Sequence, residues 1–138
     1  MSKRHLAREI ALQILYGYDR QGITEIKDPK ELDEHFQYFR VPPDIQPFSS
    51  QLVTGTLQNI VQIDQILDRN LKKWKIQRLS PVDRCILRMA VYEMKYMPEI
   101  DVGITINEAV ELAKQFGTEE SYGFVNGILD EATRDKVN

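Results

Sequence analysis

The sequence predicts an all-α fold, a compact bundle of about six to seven helices. Apolar residues recur every three to four positions along nearly every segment, which is the spacing of one helix face. Residues that favour helix starts and helix ends bound these segments. The apolar run around Ile104 is too short to count as a strand. One helical core is the simplest packing that these features allow.

The first helix is predicted at the N-terminus, with Ser2 as its cap and with Gly17 and Gly22 marking its end. Its apolar stripe consists of Leu6, Ala7, Ile10, Ala11, Ile14, Leu15 and Tyr18. A short second helix is predicted from Pro29 to Phe39, and Pro42 and Pro43 stop it. The apolar side chains that this helix turns inward are Leu32, Phe36 and Phe39.

A long third helix is predicted from Asp44 to Trp74, because apolar residues keep helical spacing throughout that range. The fourth begins at Ser80-Pro81-Val82-Asp83, which combines a capping serine, a proline at the first position and an acid in the first turn. It ends before Pro98. The fifth helix runs from about Thr105 to Phe116, and the sixth from about Thr118 to Thr133.

Length and composition indicate one domain over residues 1–138, without a linker or a repeat. The formal net charge is −3, yet residues 1–8 and 69–88 are locally basic. Cys85 is the only cysteine, so an intramolecular disulfide is excluded and a reducing cytoplasm is expected. The N-terminal residues do not have the pattern of a signal peptide, because no uncharged apolar segment follows the basic residues, and no apolar run approaches the roughly 20 residues of a membrane span.

The sequence offers no constellation of catalytic residues, so we do not expect an enzyme. Cys85 lies on the apolar stripe of the fourth helix, which is typical of a buried structural thiol. His5 and His35 belong to no metal-ligand spacing, and no phosphate-binding glycine loop is present. We therefore expect neither a metal nor a cofactor.

Glu93 continues the inward row of the fourth helix that Val82, Ile86 and Met89 begin. Because an unpaired buried carboxylate is costly, we expect Glu93 to form an ion pair with Arg88 or Arg8.

Binding is the function that the charged and aromatic residues favour. Arg4 and Arg8 are one helical turn apart, a spacing that suits contacts with successive phosphates, although a solvated basic helix end explains it equally well. Tyr16 points away from the apolar stripe and Phe124 lies beside the stripe of the sixth helix, so each is a candidate for stacking on a base. Isolated exposed tyrosines are common, however, and sideways packing on a neighbouring helix explains Phe124 equally well. The basic residues around Trp74 are better explained as the solvated face of a helix end.

Three segments resemble the bacterial NusB family of transcription antitermination factors, and the resemblance covers most of the chain. They are Arg8–Tyr16 (REIALQILY), Leu87–Met94 (LRMAVYEM), and Ile106–Gly117 (INEAVELAKQFG) followed by Phe124–Asp130 (FVNGILD). The order and spacing of the last two motifs are the most specific part. The resemblance implies a NusB-like all-α fold of two packed helical groups.

The same resemblance implies binding to single-stranded boxA RNA in ribosomal RNA transcripts, together with ribosomal protein NusE. That complex would join the elongating RNA polymerase and other Nus factors. Carried over to this chain, the RNA-binding positions are Lys3, Arg4, Arg8 and Phe124, with Tyr16 and Glu120 near the same surface.

Two positions depart from the family pattern and remove positive charge. His5 and Leu6 interrupt the N-terminal arginines, and Gly123 stands where a lysine is common. Since each lost phosphate contact weakens binding, we expect weak RNA binding by the chain alone, which a partner that extends the charged surface would strengthen.

Two alternatives keep the fold and change the role. A protein-binding adaptor would use Leu12 and Leu15 as contact points beside the apolar stripe of the first helix. A NusB-like domain also occurs at the N-terminus of certain ribosomal RNA cytosine methyltransferases, and this alternative requires a cofactor-binding α/β domain beyond these 138 residues. The sequence does not decide between a monomer and a homodimer.

Overall fold

The computed structural model describes residues 2–72 and 75–134, which form seven α-helices and one short 3-10 turn. The predicted all-α fold is confirmed. The helices are α1 (Lys3–Gln21), α2 (Lys30–Tyr38), α3 (Gln46–Gln58), α4 (Ile60–Asn70), α5 (Pro81–Tyr96), α6 (Val102–Phe116) and α7 (Ser121–Arg134). The 3-10 turn, Ile76–Arg78, precedes α5.

The predicted caps of α1 and α5 are confirmed. The Ser2 hydroxyl accepts a hydrogen bond of 3.0 Å from the His5 amide, and Gly22 ends α1 in the left-handed region with φ of 71°. The Ser80 hydroxyl accepts a bond of 3.2 Å from the Asp83 amide. Gly17, in contrast, lies inside α1 and does not end it.

The prediction of one long helix from Asp44 to Trp74 is wrong, because the chain breaks at Asn59 into α3 and α4. The Asn59 backbone leaves helical geometry at φ −113° and ψ 20°. Its side-chain amide donates a 2.8 Å hydrogen bond to the Gly55 carbonyl, which also accepts the Asn59 backbone N–H. Asparagine side chains compete for backbone groups in this way and interrupt helices. The predicted core residue Trp74 lies outside the described residues.

Two helix starts differ from the predicted positions. Helix α6 begins at Val102, earlier than Thr105, because Asp101 caps it and accepts a hydrogen bond from the Gly103 amide. Helix α7 begins at Ser121, because Thr118 is held in the preceding turn by a 2.9 Å hydrogen bond from its amide to the Ser121 hydroxyl.

Helix α5 is the centre of the bundle and contacts α1, α3, α4, α6 and α7. Five of its apolar side chains are almost inaccessible: Ile86, Leu87, Met89, Ala90 and Val91. Helices α1 and α3 pack together on α5, while α7 contacts α4, α5 and α6. Within residues 2–72 and 75–134, no helix is both long and apolar enough to cross a membrane.

Gly55 lets α3 approach α5 closely. A methyl group at this position would overlap the ring of Tyr92. That ring also stacks on Tyr96, with centroids 5.4 Å apart and an interplanar angle of 25°. The two tyrosines therefore have little freedom to move aside.

We expect Gly55→Ala to lower the free energy of unfolding by about 1–3 kcal/mol, because overpacking the α3–α5 contact outweighs the gain in helix propensity. Urea unfolding measures the effect. Gly123→Ala is the matched control, since a methyl group there meets no atom within 4 Å. Equal stability of the two variants would contradict the close packing of Gly55 against Tyr92.

Candidate nucleic-acid interface

The N-terminal turn of α1 presents two basic side chains to solvent, Lys3 and Arg4. The Lys3 ammonium lies 2.6 Å from a carboxylate oxygen of Asp44, and the two side chains are 77% and 53% exposed. Their hydrogen bond raises the pKa of Lys3 and lowers the pKa of Asp44, so both remain charged at neutral pH. An exposed pair of this kind is weak and can be exchanged for another partner.

The ring of Phe48 on α3 supports the arginines of α1. The Arg4 guanidinium lies 4.5 Å from the ring centroid, and the Arg8 guanidinium lies 5.2 Å from it. Cations over an aromatic face are attracted by its quadrupole. Phe48 is half-buried and packs against the core, so it orients the exposed Arg4. Phe48 lies in the range Asp44 to Trp74 whose apolar spacing predicted a helix, and that spacing gave no sign of this second role.

Arg8 is buried, whereas Arg4 is exposed. Its Nε and Nη2 donate to the two carboxylate oxygens of Glu93 at 2.8 and 2.7 Å, and both side chains are 2% exposed. The expected ion pair of Glu93 is confirmed, with Arg8 as the partner. The expectation that Arg8 presents its guanidinium to a phosphate has to be corrected, because burial between α1 and α5 encloses that group.

The Arg8–Glu93 pair extends into a network that also includes α6. Arg8 Nη1 donates to Glu108 at 3.3 Å, and the Thr105 hydroxyl donates to Glu93 at 3.1 Å. His5 lies 2.6 Å from the other Glu108 oxygen through Nδ1. This network joins the N-terminal half of α1 to α5 and α6, so it fixes the direction in which Lys3 and Arg4 project.

The other expected partner of Glu93, Arg88, belongs to a separate cluster. Arg88 donates two hydrogen bonds of 2.9 Å to Asp64 on α4 and one of 3.1 Å to Asp19 on α1. Arg84 adds two bonds to Asp19, at 3.1 and 2.6 Å. The cluster therefore holds the C-terminal half of α1 against α4 and α5.

Phe124 lies on α7 and is half-buried against the core. It lines a shallow groove together with Gly123 and Gly127 of α7 and with Leu71 and Lys72 at the end of α4. The Lys72 side chain is 76% exposed, and its ammonium lies 3.5 Å from a carboxylate oxygen of Glu131. The sequence interpretation had placed Lys72 on the solvated face of a helix end and had not associated it with Phe124.

Glu120 and Tyr16 are the remaining candidate residues. Glu120 is exposed in the turn before α7 and accepts a 3.2 Å hydrogen bond from the Thr118 hydroxyl. Tyr16 is half-buried on α1, about 18 Å along the helix from Arg4 at 1.5 Å per residue. Within residues 2–72 and 75–134, no hydrogen bond, ion pair or ring contact joins Lys3 or Arg4 to Phe124 or Glu120.

Leu12 and Leu15, the expected partner contacts, are 3% and 4% exposed. The expectation that they form a protein-binding surface is therefore wrong. Helix α1 packs against both α3 and α5, so a wider part of its circumference is buried than the predicted single stripe.

Cys85 is buried, and burial raises the pKa of its thiol to about 12. The nearby carboxylate of Asp19 acts in the same direction. A thiol with this pKa stays protonated at neutral pH and is a poor nucleophile. Over the part of the chain that the structure describes, no three His, Cys, Asp or Glu side chains are grouped as metal ligands.

Comparisons with known proteins agree on one family. The model of the NusB family matches residues 5–134. The transcription antitermination protein NusB of Bacillus cereus (strain B4264) is 50% identical over 129 residues, which cover 92% of this chain and 94% of that protein. The solved structure of T. maritima NusB has a TM-score of 0.84 and 32% identity, covering 98% of this chain and 93% of that one.

A further solved structure contains the antitermination factors NusB and NusE in complex with dsRNA. The matching chain has a TM-score of 0.85 and 29% identity, and the match covers 98% of each chain.

We expect Arg8→Met to lower the free energy of unfolding by about 3–5 kcal/mol, because it leaves Glu93 buried without its partner. The double variant Arg8→Met/Glu93→Leu removes both charges and is expected to be clearly more stable than Arg8→Met. Urea unfolding of the wild-type protein, of Arg8→Met and of the double variant measures this difference. A double variant no more stable than Arg8→Met would contradict the unpaired carboxylate as the cause.

Proposed function

Because this chain belongs to the NusB family, we propose that it is a transcription antitermination factor. In this role it binds the boxA RNA of ribosomal RNA operon transcripts together with ribosomal protein NusE. The complex then joins the elongating RNA polymerase and other Nus factors. The observation that carries the proposal is the likeness, over 98% of both chains, to a NusB structure in complex with NusE and dsRNA.

Two surface features supply the contacts that RNA binding requires. Lys3 and Arg4 project from the first turn of α1 and contact phosphates, while the half-buried ring of Phe124 stacks on an unpaired base. Tyr16 and Glu120 border the same RNA. Arg8 acts indirectly, because its buried ion pair with Glu93 sets the position of the turn that carries Lys3 and Arg4.

The charge available at α1 limits the affinity of the protein alone. Lys3 is already paired with Asp44, and the position after Arg4 is His5, which lies against Glu108. Few phosphate contacts mean a small release of counterions and weak binding at moderate salt. NusE would therefore be needed to extend the basic surface.

The proposed role is one of binding, without catalysis and without a cofactor. It is carried out by a single domain over residues 1–138. Because the RNA polymerase and the nascent transcript are its targets, we place its activity in the cytoplasm.

The direct test is an RNA mobility shift with boxA-like and scrambled RNA, with and without NusE, over a salt series. The proposal requires a preference for boxA-like RNA that NusE increases. Equal binding of the two RNAs in the presence of NusE would overturn it.

The basic and aromatic contacts are expected to respond differently to salt. Arg4→Ala weakens binding and lowers the slope of log affinity against log salt by about 0.7, the value for one lost contact to single-stranded RNA. Phe124→Ala weakens binding about tenfold but leaves this slope unchanged, because stacking releases no counterions. Fluorescence anisotropy over a salt series measures both.

Lys27→Ala serves as the control for charge, since this exposed lysine precedes α2. A change in slope for Lys27→Ala as large as for Arg4→Ala would mean that the net charge, and not the position of Arg4, determines binding.

Asp44→Asn is expected to strengthen RNA binding by about two- to fivefold, which is the change in affinity that corresponds to the free energy of an exposed ion pair. The substitution frees the Lys3 ammonium from its partner at 2.6 Å. The gain should disappear in the double variant Lys3→Ala/Asp44→Asn, as measured by anisotropy. A gain that persists in the double variant would exclude competition for Lys3 as its cause.

A further inference from the structure

A second concave surface lies between α1 and α2. We call it the α1–α2 groove and define it by Ile14, Gly17 and Tyr18 of α1 and by Glu31, Glu34 and Tyr38 of α2. Its volume is about 630 Å³. Gln13, Gln21, Ile23, His35 and Phe39 complete its lining, so it contains neither lysine nor arginine.

The groove combines an aromatic wall with two carboxylates. Tyr38 is 81% exposed and is the most exposed of the large apolar side chains in the described part of the chain. Its ring meets the ring of Phe39 edge to face, with centroids 5.2 Å apart. Tyr18 is held by the ring of His35, whose Nε2 lies 3.2 Å from the Tyr18 hydroxyl.

Glu31 and Glu34 both line the groove, and Glu31 is incompletely satisfied. One oxygen of Glu31 is shielded from solvent and has no hydrogen-bond partner. The pKa of Tyr18 is raised, first by burial and then by the negative charges of Glu31 and Glu34. Both carboxylates therefore line the groove beside Tyr18 and make it negative.

Gly17 of α1 forms part of the floor of the α1–α2 groove and leaves it open. A methyl group at this position would meet no heavy atom within 4 Å, so the packing of the protein does not require glycine there. A glycine inside a helix costs about 1 kcal/mol relative to alanine. The glycine thus leaves free space in the groove, although an alanine at this position would make α1 more stable.

We propose that the α1–α2 groove is a second docking surface, which binds an arginine-bearing segment of a protein partner. A guanidinium is planar, so it stacks on an aromatic ring and donates paired hydrogen bonds to carboxylates. The groove offers both kinds of group, and its charge is opposite to that of arginine. A nucleic acid is disfavoured here because Glu31 and Glu34 repel phosphates.

The groove lies apart from the basic end of the proposed RNA interface, and Tyr16, which borders that interface, is not among the residues that line the groove. Tyr18 lies about 21 Å along α1 from Arg4, at 1.5 Å per residue. Helix α2 and the turn before it carry five acids, Glu25, Asp28, Glu31, Asp33 and Glu34, against two lysines, Lys27 and Lys30. The arginine-bearing partner would therefore occupy the acidic side of the molecule while RNA occupies the basic tip of α1.

The test is a chemical-shift titration of the full-length, ¹⁵N-labelled protein with the peptide acetyl-Ala-Arg-Leu-Leu-Arg-Ala-amide. A twin peptide carries citrulline in place of each arginine, which keeps the shape and removes the charge. We expect saturable shifts in the amides of residues 13–21 and 31–39, with binding of the twin weaker by about tenfold.

The double variant Glu31→Gln/Glu34→Gln is expected to weaken binding of the arginine peptide by about fivefold or more. The matched control is Glu111→Gln/Glu119→Gln, which makes the same change in net charge at exposed positions of α6 and the following turn and should leave binding within about twofold. Both double variants should affect boxA RNA binding equally, which separates this proposal from the proposed function.

Gly17→Ala provides a readout that a folding defect cannot imitate. It should raise the melting temperature by about 2–4 °C and weaken peptide binding, because the methyl group fills the floor of the groove. A lower melting temperature would show that the fold needs this glycine and would overturn the argument for an open floor.

Four other outcomes would also overturn the proposal. They are no shifts in the groove, equal binding of the citrulline twin, equal loss in the control variant, and the same shifts caused by boxA RNA. If dilution of the protein alone changes the chemical shifts of these amides, the occupant is a second copy of the chain and the arginine-bearing partner is excluded.

Discussion

The buried ion pair between Arg8 and Glu93 is the constraint on which the arrangement of the N-terminal helix depends. Two charges that are 2% exposed are tolerated only when each satisfies the other, and the paired hydrogen bonds of 2.7 and 2.8 Å do so. Glu108 and Thr105 add further bonds from α6. Because this geometry requires α1, α5 and α6 at the same time, the first turn of α1 has one direction in which to project its basic side chains.

A second set of charges, which are half-buried, holds the other end of the same helix. Asp19 accepts hydrogen bonds from Arg84 and Arg88, and Arg84 also donates to the carbonyls of Ile76, Gln77 and Leu79 in the turn before α5. Between the two charged clusters α1 is apolar and tightly packed. Helix α1 is therefore joined to α5 by directional bonds at both ends and by apolar packing between them, which favours one register of the two helices.

Local signals predicted much of this fold, because caps and apolar spacing act within one or two helical turns. Ser2 and Ser80 begin their helices as expected. Glu93 was also informative, since an acid in an apolar row requires a partner. The errors arose where the outcome depends on neighbours distant in sequence. Leu12 is buried because α3 and α5 cover two sides of α1, and Asn59 interrupts a helix that apolar spacing alone continues.

The position of Arg8 illustrates why the candidate site was harder to predict than the fold. In the sequence, Arg4 and Arg8 are equivalent basic residues one helical turn apart. In the structure, the guanidinium groups of both lie over the ring of Phe48. Only the packing of α5 makes one of them structural and leaves the other at the surface. Lys3 and Arg4 lie at the tip of α1, while Glu31 and Glu34 of α2 lie beside Tyr18. Helix α1 thus carries basic side chains at its N-terminal end, while the acids of α2 lie beside its C-terminal half, so partners of opposite charge would meet different surfaces.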